Sequence, residues 1–498
     1  MDYISTRSSD VKVKSCTAIK QGISNEGGLF VPAEIPYVDL KEIKKLVLMN
    51  YTERAVYILK KYLSDFTVKD LKECAENAYK KEKFGSENPA PLKKLDDSVY
   101  VLELWHGPTC AFKDMALQIL PYFLTKAINK TGEKKEVVIL VATSGDTGKA
   151  ALEGFKDVKG TKICVFYPSD GVSDIQKMQM TTQEGENVFV AGINGNFDDA
   201  QSGVKEIFTD EKIKKDMKKK GYVFSSANSI NWGRLVPQIV YYFSAYCDMV
   251  KSGEISLGEK INVCVPTGNF GNILAAYYAK RMGLPVNKLI CASNSNNVLT
   301  NFIKTGEYNR NREFYTTVSP SMDILISSNL ERLLFDLTGG NTNKVSKWME
   351  DLKKKGKYSV SADVKKKIGE IFWGGFCDDY FTKECIYKTN RDYNYTVDTH
   401  TAVAIDVYKQ YVRDTGDNTK TVIASTASPF KFNESVLSAL GKDSETENRS
   451  DFELLDILSE VSGTEIPDGL KKLKNAEIKF SKIFDKNSML DAVNEFLK

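Results

Sequence analysis

From about residue 96 onward, short β-branched runs alternate with segments of helical periodicity, and no other feature of the chain limits its fold so strongly. Amphipathic or apolar helical patterns separate most of these runs. The alternation predicts an α/β fold whose sheet is mainly parallel and flanked by helices. The runs occupy residues 99–102, 137–141, 163–167, 188–190, 222–224, 261–265, 289–291 and 421–424.

The length of the chain predicts more than one domain. At 498 residues, it exceeds what a single hydrophobic core usually organises. Residues 1–95 have helical periodicity and no motif that carries chemistry, so we expect a mostly helical N-terminal domain. We expect two α/β domains to follow, over residues 96–245 and 246–498, the second ending in helices that cover its sheet.

Charge and cysteine usage argue against several classes of protein. The formal net charge is +3, which gives no sign of a nucleic-acid or membrane-surface partner. The nine cysteines are scattered and include no Cys-x-x-Cys pair. This pattern argues against a zinc site and against a disulfide framework, and it is typical of a reducing compartment. His106 and His400 are the only histidines, which weakens a histidine metal site or a Ser-His-Asp hydrolase. The start of the chain has no secretion or transit pattern, so we expect a cytoplasmic protein without a metal.

Small polar residues follow four of the predicted strands. In open α/β sheets, ligands bind outside the carboxyl ends of the strands. We therefore expect the four loops to converge on one site. They comprise residues 142–148, 225–231, 266–272 and 425–429.

The loop at 268–272, Gly-Asn-Phe-Gly-Asn, precedes a strongly helical segment at 273–279. Glycines at a strand-to-helix turn leave backbone N–H groups free at a helix N-terminus, where a phosphate group is favoured. The loop does not fit the dinucleotide-binding fingerprint, because it lacks Gly-x-Gly-x-x-Gly and a downstream acid. A tight turn made only for packing is the alternative for this loop taken alone.

The loop at 143–150, Thr-Ser-Gly-Asp-Thr-Gly-Lys-Ala, superficially resembles a Walker A loop. Thr143 occupies the position of its first glycine, and Ala150 stands where a hydroxyl group would bind magnesium. A nucleoside triphosphatase is therefore not expected. Hydroxyl and N–H groups before a helix suit a carboxylate instead, and we expect Lys149 on a solvated helix face.

Residues 228–234, Asn-Ser-Ile-Asn-Trp-Gly-Arg, group two amides, a hydroxyl and a guanidinium within seven positions. An arginine together with Asn and Ser donors forms a clamp for a phosphate or another oxyanion. A capped helix start with a surface arginine explains the same residues equally well.

Residues 104–114, Leu-Trp-His-Gly-Pro-Thr-Cys-Ala-Phe-Lys-Asp, place one lysine directly before an apolar run of helical periodicity. We expect Lys113 near the interior, where desolvation favours the neutral amine that Schiff-base chemistry requires. The alternative is that Lys113 extends from the start of the helix into solvent. The local sequence does not distinguish between the two positions. Pro121 in the following run predicts a kink or a restart of that helix.

Together, these motifs resemble those of the threonine synthases, in the longer form found in many bacteria and fungi. The resemblance runs from residues 26–32 (Glu-Gly-Gly-Leu-Phe-Val-Pro) to residues 425–432 (Ser-Thr-Ala-Ser-Pro-Phe-Lys-Phe), with the motifs in the family's order. These enzymes depend on pyridoxal 5′-phosphate (PLP) and are similar to the tryptophan synthase β subunit. The resemblance implies a fold-type II architecture, in which two open, mainly parallel sheets flanked by helices follow a helical N-terminal domain.

The resemblance also implies roles for individual residues. Lys113 would form the Schiff base with PLP and would act as the catalytic base. Thr426 would face the pyridine nitrogen, and Asp146 would face the phenolic edge of the ring. The residues that would hold the cofactor are Lys113, Asp146, Gly268, Asn269, Phe270, Gly271, Asn272 and Thr426. The residues that would bind the substrate are Ser144, Gly145, Thr147, Asn228, Ser229 and Arg234.

The implied activity is that of a carbon–oxygen lyase that converts O-phospho-L-homoserine and water to L-threonine and phosphate. A threonine dehydratase or a β-replacing synthase would share Lys113 and the glycine loop, but neither substrate carries a γ-phosphate for residues 228–234. A noncatalytic protein that binds phosphometabolites is a further alternative, although it would be expected to lack Lys113. Two residues depart from the common pattern, because Ser428 stands where histidine is frequent and Asp146 where asparagine is frequent. We expect a monomer or a homodimer.

Overall fold

Two mainly parallel sheets form the framework of the protein. The computed structural model describes residues 1–143, 145–169 and 172–498, with side chains except at positions 197, 198 and 209. Each of the eight runs predicted from the sequence is a strand. The strands are β1 (Asp2–Ser5), β2 (Lys12–Lys14), β3 (Phe30–Pro32), β4 (Leu92–Lys94), β5 (Val99–Glu103), β6 (Glu136–Ala142), β7 (Thr161–Pro168), β8 (Val188–Asn194), β9 (Tyr222–Ser225), β10 (Ile261–Pro266), β11 (Val286–Ser293), β12 (Glu307–Asn309), β13 (Lys357–Ser359), β14 (Phe372–Phe376), β15 (Thr421–Ser425) and β16 (Ile483–Asp485).

The larger sheet has six strands in the order β14-β11-β10-β15-β5-β4. All neighbours are parallel except β4, which runs antiparallel to β5 at one edge. Every residue of β10 and β15 is buried, as expected for central strands of a sheet that is covered on both faces. Strand β14 was not predicted, because its sequence Phe-Trp-Gly-Gly-Phe contains no β-branched residue.

The second sheet has five parallel strands in the order β16-β8-β7-β6-β9. The sequence predicts only covering helices at the end of the chain, and this prediction is incomplete. Residues 483–485 form β16, which pairs with Gly192–Asn194 at the edge of this sheet. A strand of three residues is too short to show alternation, so its sequence carries no signal for it.

Helices cover both sheets and make up most of the N-terminal region. Pro121 lies in the first turn of α7, where its missing N–H group costs no hydrogen bond, so the helix restarts there. The helices are α1 (Ser15–Gln21), α2 (Leu40–Val47), α3 (Tyr51–Tyr62), α4 (Val68–Ala78), α5 (Lys81–Phe84), α6 (Asp114–Leu117), α7 (Leu120–Lys130), α8 (Asp146–Phe155), α9 (Asp174–Thr181), α10 (Phe197–Thr209), α11 (Glu211–Lys219), α12 (Trp232–Lys251), α13 (Gly271–Arg281), α14 (Val298–Thr305), α15 (Leu330–Leu337), α16 (Thr342–Lys355), α17 (Ala362–Ile371), α18 (Asp379–Tyr393), α19 (Thr399–Thr415), α20 (Asn433–Ala439), α21 (Asp443–Thr446), α22 (Asp451–Ser462), α23 (Asp468–Lys471) and α24 (Met489–Phe496). Short 3₁₀ turns occupy Pro320–Met322, Pro429–Phe432, Lys472–Asn475 and Lys486–Ser488.

The N-terminal region combines the predicted helices with a small antiparallel sheet in the order β2-β1-β3. It packs on α12, where the rings of Tyr3 and Tyr62 each lie 5.5 Å from the ring of Trp232. Strand β5, from the second predicted segment, pairs with β15, from the third. The domain boundaries at residues 95 and 245 stay a prediction.

The carboxyl ends of five strands lead into the loops that the sequence singles out. Strands β6 and β9 belong to the five-stranded sheet, and β5, β10 and β15 belong to the six-stranded sheet. The site described below therefore lies between the two sheets. Across the described ranges, no helix is long and apolar enough to cross a membrane.

Candidate active site

Lys113 lies in a loop that runs along the end of β15 before α6 begins. The Phe112 N–H group donates to the Thr426 carbonyl oxygen at 2.8 Å. The Ser428 N–H group donates to the Cys110 carbonyl oxygen at 3.1 Å. These backbone bonds fix the predicted Schiff-base lysine beside Thr426, although more than 300 residues separate them in the chain.

Asp114 anchors the other side of the lysine loop. Its carboxylate accepts hydrogen bonds from the Thr109 N–H and hydroxyl groups, both at 2.8 Å. A side chain at Gly107 would place its Cβ 2.5 Å from that carboxylate, so the close approach requires glycine. Burial raises the pKa of Asp114 to about 6.

The Lys113 ammonium group faces a buried carboxylate that it shares with a second lysine. Lys113 Nζ lies 3.1 Å from Asp146 Oδ2. The other oxygen, Asp146 Oδ1, lies 2.6 Å from Lys431 Nζ. The Lys113 side chain is 11% exposed, that of Asp146 is 2% exposed and that of Lys431 is inaccessible to solvent. The site therefore contains two buried lysines bridged by one carboxylate.

Burial and charge act in opposite directions on this cluster. Burial lowers the pKa of Lys113, while the Asp146 carboxylate opposes the shift. Burial alone would raise the pKa of Asp146, but the ammonium groups of Lys113 and Lys431 overcome it and hold that pKa well below its usual value. The geometry thus keeps Asp146 ionised and favours loss of a proton from Lys113.

The loop after β6 presents Asp146 at the start of α8. The Thr143 hydroxyl oxygen accepts from the N–H groups of Gly145 and Gly148 at 3.0 and 2.9 Å. Gly145 has a φ of +141°, and a Cβ there would lie 2.5 Å from the amide of Gln176. That amide donates to Asp146 Oδ1 at 3.1 Å.

Two further predictions concern this loop. Ser144 lies outside the described residues, and Thr147 is half-buried in the first turn of α8. The prediction of a solvated Lys149 is wrong, because its side chain is only 12% exposed. Its ammonium group donates to Gln183 at 2.6 Å and to Glu153 at 3.2 Å, which pairs it within the protein.

The glycine loop after β10 presents backbone donors at the N-terminus of α13. Phe270 adopts a left-handed conformation with φ +63°, and a Cβ at Gly268 would lie 2.8 Å from the Ser321 carbonyl oxygen. Within the described ranges, the N–H groups of residues 269–272 donate to no protein acceptor. Gly268 and Gly271 thus keep a cradle of free N–H groups open beside the loop that carries Ser321.

Asn272, the last residue of this loop, has a side-chain donor without a partner among the described residues. Its Oδ1 atom accepts from the hydroxyl groups of Tyr241, at 2.8 Å, and Tyr242. Its Nδ2 atom is buried and finds no partner in the part of the chain that the structure describes. A buried amide donor without an acceptor is costly unless a ligand supplies one.

The loop after β9 presents a second set of unpartnered polar atoms. Arg234 is 3% exposed, which excludes the surface arginine that the sequence allowed. One guanidinium nitrogen donates to the Ala227 carbonyl oxygen at 2.5 Å. Arg234 Nε and Asn228 Oδ1 are buried and have no partner among the described residues. Burial lowers the pKa of Arg234 to about 10, so the guanidinium stays charged at neutral pH.

Asn329 joins the two polar loops and was missed by sequence reasoning. Its amide nitrogen donates to the Asn269 carbonyl oxygen at 3.0 Å and to the Ser229 hydroxyl at 3.2 Å. Arg332 donates to Asn329 Oδ1 and, at 2.5 Å, to the Ile230 carbonyl oxygen. An asparagine directly before a helical run is also an ordinary helix-start signal, so only its tertiary contacts reveal this role.

Ser321 connects the glycine loop to Lys113 and was also missed. Its hydroxyl lies 3.5 Å from Lys113 Nζ and 3.4 Å from Asp146 Oδ2. Its N–H group donates to His400 Nε2 at 3.1 Å, and His400 Nδ1 lies 2.9 Å from Asp398 Oδ2. His400 is buried in the first turn of α19, whose N-cap residue is Asp398.

Contacts through Lys113, Ser321 and Asn329 thus link the loops that carry the predicted residues within the described ranges, and Asn269 is exposed. No group of metal-ligating side chains is found over the residues that the structure describes. Lys431 completes the site and was missed by sequence reasoning. Its position between Phe430 and Phe432 is the local signal that could have indicated its burial.

Comparison with known proteins places this chain in one class. Residues 85–348 match the family model for pyridoxal-phosphate dependent enzymes, so the chain is a PLP-dependent enzyme of fold type II. Residues 2–79 match the model for the threonine synthase N terminus, and residues 401–497 match that for the threonine synthase C-terminal region. The chain belongs to the threonine synthase family.

Individual relatives agree with this assignment. The chain is 36% identical to the threonine synthase of Saccharomyces cerevisiae, over 99% of this chain and 98% of the relative. It superposes on the X-ray structure of PLP-bound threonine synthase from Brucella melitensis with a TM-score of 0.87 and 33% identity, covering 100% and 98% of the two chains. It is 42% identical to threonine synthase-like 1 of Homo sapiens, over 85% of this chain but only 57% of that protein's length.

Proposed function

We propose that this protein is a threonine synthase that converts O-phospho-L-homoserine and water to L-threonine and phosphate. The proposal rests on two groups of polar atoms that lack hydrogen-bond partners among the described residues, in the two loops that Asn329 joins. One set is the N–H cradle with Asn272, and the other contains Asn228 and Arg234. A reaction that joins a phosphorylated cofactor to a phosphorylated substrate needs two such anion sites.

The residues present fit PLP as the resident cofactor. The cradle at residues 269–272 and the Asn272 amide would hold its phosphate group, and Lys113 would bond to its aldehyde carbon. Thr426 would lie at the ring nitrogen and Asp146 at the phenolic edge. When bound, PLP supplies stabilisation of the carbanion that forms when the Cα proton leaves.

Lys113 is the side chain placed to move protons in this reaction. Burial lowers the pKa of its amine, which lies 3.1 Å from Asp146 and 3.5 Å from Ser321. His400 is engaged at both ring nitrogens, by Ser321 and by Asp398. His106 bonds to Glu103 at 2.6 Å, so neither histidine competes for the role.

Arg234, Asn228 and Ser229 would bind the substrate phosphate, which leaves from Cγ during the reaction. Their position next to the cofactor cradle would hold the carbon chain of the substrate between the phosphate and Lys113. Gly145 and Thr147 at the start of α8 would receive the substrate carboxylate, together with Ser144. These positions would orient the substrate relative to Lys113.

Product analysis tests the proposal. The PLP-loaded protein is incubated with O-phospho-L-homoserine, and threonine and inorganic phosphate are measured in parallel. We expect equal amounts of the two products. Parallel reactions use L-threonine, with 2-oxobutanoate as the product of a dehydratase, and an O-activated serine with a thiol, which a β-replacing synthase would use. The proposal would be contradicted if the protein turned over either alternative substrate and formed no threonine from O-phospho-L-homoserine.

A further inference from the structure

Lys431 has no part in the proposed reaction, yet it is the more deeply buried of the two lysines at the site. Its ammonium group lies 2.6 Å from Asp146 Oδ1 and donates to the Thr109 carbonyl oxygen at 3.1 Å. The side chain has no exposed surface. A fully buried lysine is rare unless its charge is paired, so its presence requires a reason.

The arrangement of charges around Asp146 suggests that reason. Each carboxylate oxygen serves one lysine, Oδ2 for Lys113 and Oδ1 for Lys431. If Lys113 were the sole partner, loss of its proton would leave Asp146 as a buried anion without a counterion. Such a charge is costly, so the pair would resist deprotonation of Lys113.

We propose that Lys431 is a positioning residue that remains paired with Asp146 and thereby allows Lys113 to become the neutral amine that bonds to the cofactor. This inference rests on the proposed role of Lys113. With Lys431 in place, Asp146 keeps a cation after Lys113 loses its proton, and Gln176 still donates to its Oδ1 atom at 3.1 Å. Lys431 also holds the Thr109 end of the lysine loop through its bond to the carbonyl oxygen.

The other charged groups near the cluster agree in sign. Burial lowers the pKa of Lys113 most, Lys431 and Arg234 lower it further, and Asp146 opposes them. On the far side, Lys431 faces Asp114 and the Cys110 thiol, and it lowers the pKa of both groups against the effect of burial. Without the Lys431 charge, Lys113 would still face Asp146 but would lose one of the positive neighbours that lower its pKa.

Capture of PLP by the apoprotein at different pH values tests the role of Lys431 without using catalysis. The variants are Lys431→Met, which removes the charge, and Lys431→Gln, which also keeps a donor for Asp146. Lys149→Met is the matched control, because Lys149 is a largely buried lysine paired with Glu153 outside the cluster. The rate of attachment is followed by visible absorbance and by borohydride fixation between about pH 6 and 10.

Both Lys431 variants are expected to capture PLP at least tenfold more slowly than the parent at pH 7 and to approach the parent rate near pH 10. A tenfold loss corresponds to a rise of about one unit in the pKa of Lys113. Lys149→Met is expected to follow the parent at every pH. Recovery at high pH also shows that the variants are folded.

Two results would overturn the proposal for Lys431. One is a pH profile of either variant that coincides with the parent, and the other is failure of both to capture PLP at any pH. Failure of the role assigned to Lys113 has a different signature. In that case Lys113→Ala would still fix PLP upon borohydride reduction, whatever the Lys431 variants do.

Discussion

Substitution of Asp146 by asparagine tests the energetics of the site most strongly. The change removes the carboxylate that lies 3.1 Å from Lys113 and 2.6 Å from Lys431, and it leaves two buried cations without a counterion. Removal of one partner from a buried ion pair typically costs about 3–5 kcal/mol of unfolding free energy. We expect a loss of that size for Asp146→Asn at pH 7.

The loss should depend on pH in a defined direction. The pKa of Asp146 is well below its usual value in the folded protein, so its contribution is present above the unfolded value and is lost as pH falls. In the variant, burial favours the neutral amine of Lys113, and release of that proton at alkaline pH removes one of the two unpaired charges. The destabilisation should therefore be smaller at about pH 9.5 than at pH 7.

Urea unfolding of the apoprotein measures the differences in unfolding free energy between variant and parent at each pH. They are obtained from the shift of the unfolding transition that includes this site. Glu153→Gln is the control, because Glu153 is 31% exposed and pairs with Lys149 at 3.2 Å, so we expect a loss below about 1 kcal/mol. The double variant Asp146→Asn/Lys431→Met should regain part of the loss, since it removes one buried cation. An Asp146→Asn protein within about 1 kcal/mol of the parent at pH 7 would refute the reasoning.

Three further predictions concern neighbouring positions. Because burial raises the pKa of Asp114 from 3.8 to about 6, its protonated form stabilises the fold and that stability is lost as pH rises through about 6. Relative to the parent, the unfolding free energy of Asp114→Asn should therefore rise by up to about 3 kcal/mol between pH 4 and pH 7. Unfolding free energies of the two proteins that change in parallel over this pH range would contradict the prediction. Gly268→Ala should weaken PLP binding at least tenfold in equilibrium titrations, because its Cβ would lie 2.8 Å from a carbonyl oxygen, and unchanged affinity would exclude the cradle as the phosphate site. Arg234→Gln should raise KM for O-phospho-L-homoserine at least tenfold without changing the PLP absorbance, whereas Arg54→Lys, at a buried arginine paired with Asp248, should leave KM unchanged.

The sequence was informative wherever local pattern determines structure. The eight β-branched runs became strands, and Pro121 restarted a helix, because each depends on neighbouring residues alone. The four small polar loops follow strands of both sheets, and within each sheet the carboxyl ends of parallel strands share one edge. That the two edges face one another depends on the tertiary fold. The glycines at positions 145 and 268 were visible in the sequence at strand-to-helix turns, but the groups that each approaches too closely for a Cβ, Gln176 and Ser321, are distant in the chain.

What the sequence could not supply were contacts between distant segments. Lys431 and Asp146 are separated by almost 300 residues, so neither local sequence contains the ion pair that explains their burial. Ser321 lies in an irregular region without periodicity, and its role depends on the fold of that region around Lys113. The same holds for Arg234, whose local sequence allowed a surface position although the fold buries it.

Mapping the site of cofactor attachment tests the central claim most directly, because two buried lysines share one carboxylate. The PLP-loaded protein is reduced with borohydride and digested, and the modified peptide is identified by mass spectrometry. The same preparation, before reduction, is assayed for threonine formation from O-phospho-L-homoserine. We predict a single adduct at Lys113 together with threonine formation. An adduct at Lys431, or one at Lys113 in a protein that forms no threonine, would contradict the account.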